Sequence, residues 1–198
     1  MVLTDKQIWS AAAIILSFAG FYPYIRSILR GQTRPHVFSW VIWSITTLIV
    51  YFAQAADKGG AGAWPTGVTG LITVYVAWLA YKKKSDIRIT HWDWFFFGLA
   101  LASIPAWHYS SNPFLAVFLL TATDVLGSIP TFQKAYRSPF SENLVFYLIM
   151  GIRSLVSIYA LESYSWTTVL FPAVLTIMCA ILIAILAVRR KNTAAGSV

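Results

Sequence analysis

The sequence predicts an all-α membrane protein with seven transmembrane helices. Three observations carry this: its composition, the length of its uncharged runs, and the distribution of its basic residues. Of 198 residues, 58% are hydrophobic and 11% charged, whereas a soluble domain has about a quarter charged. The length fits one domain or two small ones, so activity is expected of the membrane part itself. The net charge of +8 is spread over short loops rather than gathered on one face, so nucleic acid is not an expected partner. Cys179 is the single cysteine, which excludes an internal disulfide and makes it a packing residue.

Taken in order, stretches free of Asp, Glu, Lys and Arg cover residues 7–25, 37–56, 59–81 and 163–188. Each can cross a hydrocarbon core about 30 Å thick. A longer uncharged stretch, 94–123, is interrupted by His108-Tyr109-Ser110-Ser111-Asn112-Pro113, a turn sequence that separates helices four and five. The sixth helix covers residues 142–161 and, after Glu142 at its start, is apolar apart from Arg153. Nothing reads as a removable signal peptide, and residues 192–198 read as a disordered tail.

Orientation follows from the lysines and arginines, which favour short cytosolic loops. Of the 15, Lys6 and Lys58 fall on one side, Arg153 lies within a span, and the other twelve fall on the opposite side: Arg26, Arg30, Arg34, Lys82, Lys83, Lys84, Arg88, Lys134, Arg137, Arg189, Arg190 and Lys191. The N-terminus is therefore expected outside and the C-terminus in the cytosol, in a cell (inner) membrane. Trp9, Trp64, Trp107 and Trp166 fall near the outer ends and Trp92 and Trp94 near an inner end, as an interfacial belt requires.

Sliding the chain against itself by 107 residues lays helices one to three on helices five to seven without a gap. Gly20 meets Gly127, Pro23 meets Pro130, Arg30 meets Arg137, Pro65 meets Pro172, Thr69 meets Thr176, and Lys82-Lys83-Lys84 meets Arg189-Arg190-Lys191. Between positions 20 and 84 there are 13 identities in 65. The expected plan is a first three-helix repeat at 7–84, a linker helix at 91–109 and a second repeat at 113–191. Three helices are an odd number, so the linker lets both repeats run the same way, about an axis along the membrane normal.

The stretch from Tyr22-Pro23-Tyr24 to Arg30-Gly31-Gln32-Thr33, with Ser39 beyond it, resembles the first part of a PQ-loop repeat, and Ile129-Pro130-Thr131 to Arg137-Ser138 resembles the second. The 3+1+3 plan is similar to that of the SWEET, PQ-loop and PnuC transporter superfamily over almost the whole chain. Tyr24 and Thr131 stand where the motif has glutamine, and the central asparagines of SWEETs are missing. The resemblance therefore implies transport but does not carry over sugar as the substrate.

A proline inside a helix removes a hydrogen bond and clashes with the carbonyl four residues earlier. For Pro23 that carbonyl is Ala19, and for Pro130 it is Leu126. Gly20, Pro23, Gly127 and Pro130 are thus candidate hinges, or else static bends that help packing. Asp124 and Arg153 are expected near the bilayer midplane, where a charge costs on the order of 3 kcal/mol on insertion scales. They either pair with each other, fixing helices five and six, or share a hydrated pocket with a substrate. By repeat, Ser17 is opposite Asp124 and Thr46 opposite Arg153. Thr69 and Thr176 complete the candidate pocket, although a lone hydroxyl usually bonds its own helix. Trp40, Trp43 and Tyr147 are candidates for a gate or platform, or for simple packing.

The expected activity is alternating-access transport of a small polar or charged solute. The alternative is a seven-helix receptor or sensor that binds a ligand without moving it. Retinal chemistry is set aside, because 163–188 holds no lysine. An enzyme is not expected: His36, His91 and His108 sit at helix ends on opposite sides, and no nucleophile stands beside a base. Neither a cofactor nor a metal is expected. The partners are the lipid bilayer and a small-molecule substrate, with a homo-oligomer left open.

Overall fold

In the computed structural model, which describes residues 3–31, 35, 37–83, 91–137 and 139–195, the described residues form seven α-helices and two short 3-10 turns. The helices are α1 (Asp5–Leu29), α2 (Val37–Ala56), α3 (Trp64–Lys82), α4 (His91–Ser110), α5 (Pro113–Arg137), α6 (Leu144–Tyr159) and α7 (Trp166–Ala195). Gln32, Thr33, Arg34, His36, Lys84, Arg88, Ser138 and residues 196–198 lie outside the described residues, as do the side chains of Pro130 and Lys134.

Local sequence sets the helix starts. Thr4 accepts from the Gln7 backbone N–H at 3.3 Å while the Gln7 side chain accepts from Thr4 N–H at 3.0 Å, a reciprocal cap that satisfies two orphan donors of α1. Asn143 accepts from Phe146 N–H at 3.2 Å and so starts α6. At the other end of the chain α7 continues to Ala195, past the Asn192 at which the sequence predicts a tail. Ala194 and Ala195 are strong helix formers and nothing at 192 breaks the helix.

The bundle buries polar as well as apolar side chains and exposes many large apolar ones. Ser17, Thr46, Gln54, Thr168 and Arg153 are buried, whereas Ile15, Phe18, Leu71, Ile177 and Val188 are exposed. Apolar side chains facing outward in such numbers have no place in water but suit lipid. Five helices are long and apolar enough to cross a membrane: α1, α2, α3 with the turn before it, α5 and α7. The α6 helix is apolar but only 16 residues long, and α4, rich in aromatics, is not among the five. The chain is accordingly an all-helical, multi-pass membrane protein.

Packing does not follow sequence order. The α3 helix packs against both α1 and α2, and α7 against both α5 and α6. Further contacts join α1 to α6 and α2 to α5, while α4 lies on α5 and α2. The two ends of the bundle differ. At the proximal end, where α1 starts, residues 57–63 meet residues 160–168: Ala61 N–H donates to Glu162 Oε1 at 3.1 Å, Glu162 N–H to Gly59 O at 3.2 Å, and the Ser165 hydroxyl to Asp57. Lys6 Nζ donates to Tyr159 O at 2.7 Å and Tyr164 OH at 3.0 Å. At the distal end, where α7 stops, Lys83 donates to Leu29 O at 3.4 Å, Arg189 to Tyr136 O at 3.0 Å and Arg190 to Glu142 O at 2.6 Å.

Glycine makes the proximal closure tight. A Cβ on Gly62 would overlap the backbone of Ala160 and Leu161, whereas one on Gly127 would meet nothing within 4 Å. Backbone cannot swing aside, so Gly62→Ala is expected to cost about 1–3 kcal/mol and to lower the melting temperature in detergent. Gly127→Ala should be neutral or gain up to about 1 kcal/mol from helix propensity. Equal melting shifts in the two variants would mean that the 57–63 and 160–168 segments do not meet as described.

Candidate functional site

The side-chain chemistry in the interior centres on Arg153. It is 3% exposed, nine residues after the start of α6 and six before its end. At 1.5 Å per residue the Arg153 Cα stands about 9 Å from the proximal end of α6, close to the middle of the helix. Its Nη1 donates to Thr69 Oγ1 at 2.5 Å and reaches Pro65 O at 3.4 Å, and its Nη2 reaches Ser154 Oγ at 3.4 Å. Thr69 Oγ1 also donates to Pro65 O at 2.8 Å and lies 3.4 Å from Ser17 Oγ. Ser17 in turn donates to Ala13 O at 3.0 Å. Three of the residues expected to form a pocket, Ser17, Thr69 and Arg153, are therefore together, one each from α1, α3 and α6.

The expected pairing of Arg153 with Asp124 is not formed. The hydrogen bonds of Arg153 go to Thr69, Pro65 and Ser154, and Asp124 Oδ1 is buried without a hydrogen-bond partner. The reason is packing: α6 lies on α1 and α7, and α5 on α4, α7 and α2, so neighbours in sequence are not neighbours in space. Asp124 stands near the middle of α5, eleven residues from its start and thirteen from its end.

The remaining candidates follow the ordinary rule for hydroxyls. Thr46 donates to Trp43 O at 3.1 Å and Thr176 to Pro172 O at 2.8 Å, each within its own helix. Thr176 repeats the bond that Thr69 makes to Pro65 but has no guanidinium upon it. The two candidate hinges also differ: a Cβ on Gly20 would strike the Met150 side chain, while Gly127 faces open space. Pro23 lies inside α1, which runs on for six residues beyond it.

Below the Arg153 cluster, toward the distal end, is a cleft of about 550 Å³ between α1, α2 and α6, lined by Gly20, Pro23, Tyr24, Trp40, Glu142 and Tyr147 among others. Tyr147 OH donates to Glu142 Oε2 at 2.7 Å. Trp40 is buried against Tyr24, with ring centroids 5.3 Å apart, and Trp43 stands edge-on to it at 5.1 Å. Trp40 and Tyr147 occupy matching positions under the 107-residue offset and both line the cleft. Tyr24, Ser154 and the Pro65 carbonyl were not singled out from sequence. A buried arginine's need for acceptors was the signal that could have pointed to the carbonyl of a nearby proline.

Gln54 is a further buried polar residue that the sequence did not single out. Pro172 has no N–H to give to the carbonyl four residues earlier, Thr168 O, and the buried Gln54 Nε2 donates to that carbonyl at 2.8 Å. A side chain of α2 thus satisfies the acceptor that a proline frees in α7, as a dry interior demands.

Among the described residues no group of three or more His, Cys, Asp or Glu could hold a metal. Removing the acceptor in Thr69→Val strands a buried guanidinium donor and should cost about 1–3 kcal/mol, whereas Thr176→Val loses a neutral bond to its own helix and should cost about 1 kcal/mol or less. Denaturant unfolding in micelles reads the difference. No protein-family model matches the chain, and no curated protein or solved structure is significantly similar to it, so its function has to be argued from its own side chains.

Proposed function

We propose that the chain is a multi-pass transporter that moves a small polar or charged solute by alternating access, through a site between two parallel three-helix repeats joined by α4. The reading includes seven crossings, with the proximal end outside and the distal end in the cytosol. The observation that carries it is the contrast between the two ends of the bundle. Proximal hydrogen bonds run between the halves, from 57–63 and Lys6 to 159–165 and from Gln54 to Thr168. The distal bonds of Lys83, Arg189 and Arg190 run within a half, and the cleft between α1 and α6 lies on that side. A path closed at one end and divided at the other is what one state of an alternating-access carrier needs.

The neighbour relations support the duplication. Exchanging α1 with α5, α2 with α6 and α3 with α7 maps α1 against α3 onto α5 against α7, α2 against α3 onto α6 against α7, and α1 against α6 onto α5 against α2. The resemblance to the SWEET, PQ-loop and PnuC superfamily points the same way.

Uptake into proteoliposomes tests the reading. A solute carried by the wild type should move at least about tenfold more slowly with Arg153→Ala or Asp124→Asn, a loss of about 1.4 kcal/mol of transition-state stabilisation. In a Cys179→Ser background, Ser27→Cys should react with a membrane-impermeant maleimide from the cytosolic face. If no solute moves under any gradient, transport fails; a ligand that binds without crossing would make the protein a receptor or sensor.

A further inference from the structure

The transport reading leaves the cargo open, and the chemistry of Arg153 narrows it. We infer that the α1/α3/α6 cluster is a carboxylate-binding subsite in which the free edge of the Arg153 guanidinium takes both oxygens of a solute's carboxylate. This deepens the proposed function and rests on it for the route by which the solute enters.

A guanidinium has five N–H donors in a fixed plane. Nη1 donates to Thr69 Oγ1 and reaches Pro65 O, and Nη2 reaches Ser154 Oγ. Nε–H is buried and without a partner, and on the same edge a guanidinium also carries an Nη2 hydrogen. These two lie parallel along one edge of the plane, at the spacing that matches the two oxygens of a carboxylate. The bonds to Thr69 and Pro65 hold the opposite edge, so the fork is oriented before any ligand arrives.

Charge points the same way. The guanidinium is 3% exposed, and among the described residues no carboxylate pairs with it, since its bonds are to two hydroxyls and a carbonyl. A buried cation without a counter-ion is costly in an apolar bundle, and an incoming monoanion supplies the missing charge. A single arginine matches one negative charge. A doubly charged phosphate or sulfate would leave an uncompensated charge in the same interior.

The cleft provides the approach. Tyr147, Met150 and Arg153 recur every three residues along one side of α6. Tyr147 lines the cleft, and Met150 presses on Gly20, which also lines it. Ser17, one turn of α1 beyond Gly20, already touches Thr69. The Met150 and Ile149 side chains press on Gly20 at the end of the cleft nearest the cluster, and methionine is the side chain most able to move aside.

The test is thermal stabilisation of the full-length protein in detergent, at constant ionic strength, with sodium acetate, propionate, benzoate and glycine against sodium chloride, sodium sulfate and glucose. Wild type should be stabilised in a dose-dependent way by at least one carboxylate and not by the other three. Arg153→Gln should abolish the shift. Arg153→Lys, which keeps the charge but loses the fork, and Thr69→Val, which frees the fork's far edge, should each weaken apparent affinity by about tenfold or more. The inference is overturned if no carboxylate shifts the wild type, if sulfate or chloride does so equally, or if Arg153→Lys binds as the wild type does. Should Arg153→Gln fail to fold, the Arg153→Lys and Thr69→Val titrations decide. Carboxylate binding without flux in proteoliposomes would end the transport reading and leave the subsite standing. Flux of a solute that is indifferent to Arg153→Lys would do the reverse.

Discussion

The contact between the Arg153 guanidinium and Thr69 constrains the rest of the molecule. A charge inside an apolar bundle must be bonded or hydrated, and Arg153 meets that demand with acceptors on α3 rather than with a carboxylate on its own half. Pro65 stands in the first turn of α3, where its missing N–H costs nothing, and its carbonyl is bonded from below by Thr69 and from the side by Arg153. Separating α6 from α3 strands that charge, so the contact opposes relative motion of the two helices at this level.

A second proline ties the proximal end. Pro172 frees the Thr168 carbonyl, which only a donor from elsewhere can satisfy, and Gln54 of α2 provides it. Beside this bond, Glu162 N–H donates to Gly59 O, Ala61 N–H to the Glu162 side chain and the Ser165 hydroxyl to Asp57, across two loops. Hydrogen bonds gain strength as water is excluded, which applies to the bond made by the fully buried Gln54 Nε2. At the distal end the corresponding cations hold helix ends and loop carbonyls that belong to their own half. Opening one end therefore means breaking bonds between halves, while opening the other disturbs mainly aromatic contacts such as Phe21 with Phe146.

Much of the helix pattern was legible in the sequence because the uncharged runs are bounded by lysines and arginines that cannot enter lipid. The bounds of α2 agree with the uncharged run at 37–56, and α4 with the linker expected at 91–109 to within a residue. Ser17, Thr69 and Arg153 were legible as polar residues in apolar spans, and they do come together. Their partners were not, since adjacency along the chain says little about packing when α3 sits against both α1 and α2. Reading helices five and six as neighbours suggested an ion pair between Asp124 and Arg153, but Arg153 turns to α3 instead. Matching sequence positions also concealed different surroundings, as the packed Gly20 and the open Gly127 demonstrate.

That divergence between matched positions bears on what a duplicated unit can recognise. Two identical copies about one axis would offer the same groups from both sides, which suits a symmetric solute. Here position 46 of the first copy is threonine and its counterpart at 153 is arginine, while Ser17 corresponds to Asp124. Each exchange places a charge in the second copy against a neutral hydroxyl in the first, and the two charges are opposite. They do not neutralise each other by pairing: the arginine is held on α3, and the Asp124 carboxylate keeps one buried oxygen unpartnered. Under the proposed duplication, an interior built this way has a positive and a negative pole fixed on different helices. It favours a solute that presents an acid at one end over one that is uniform.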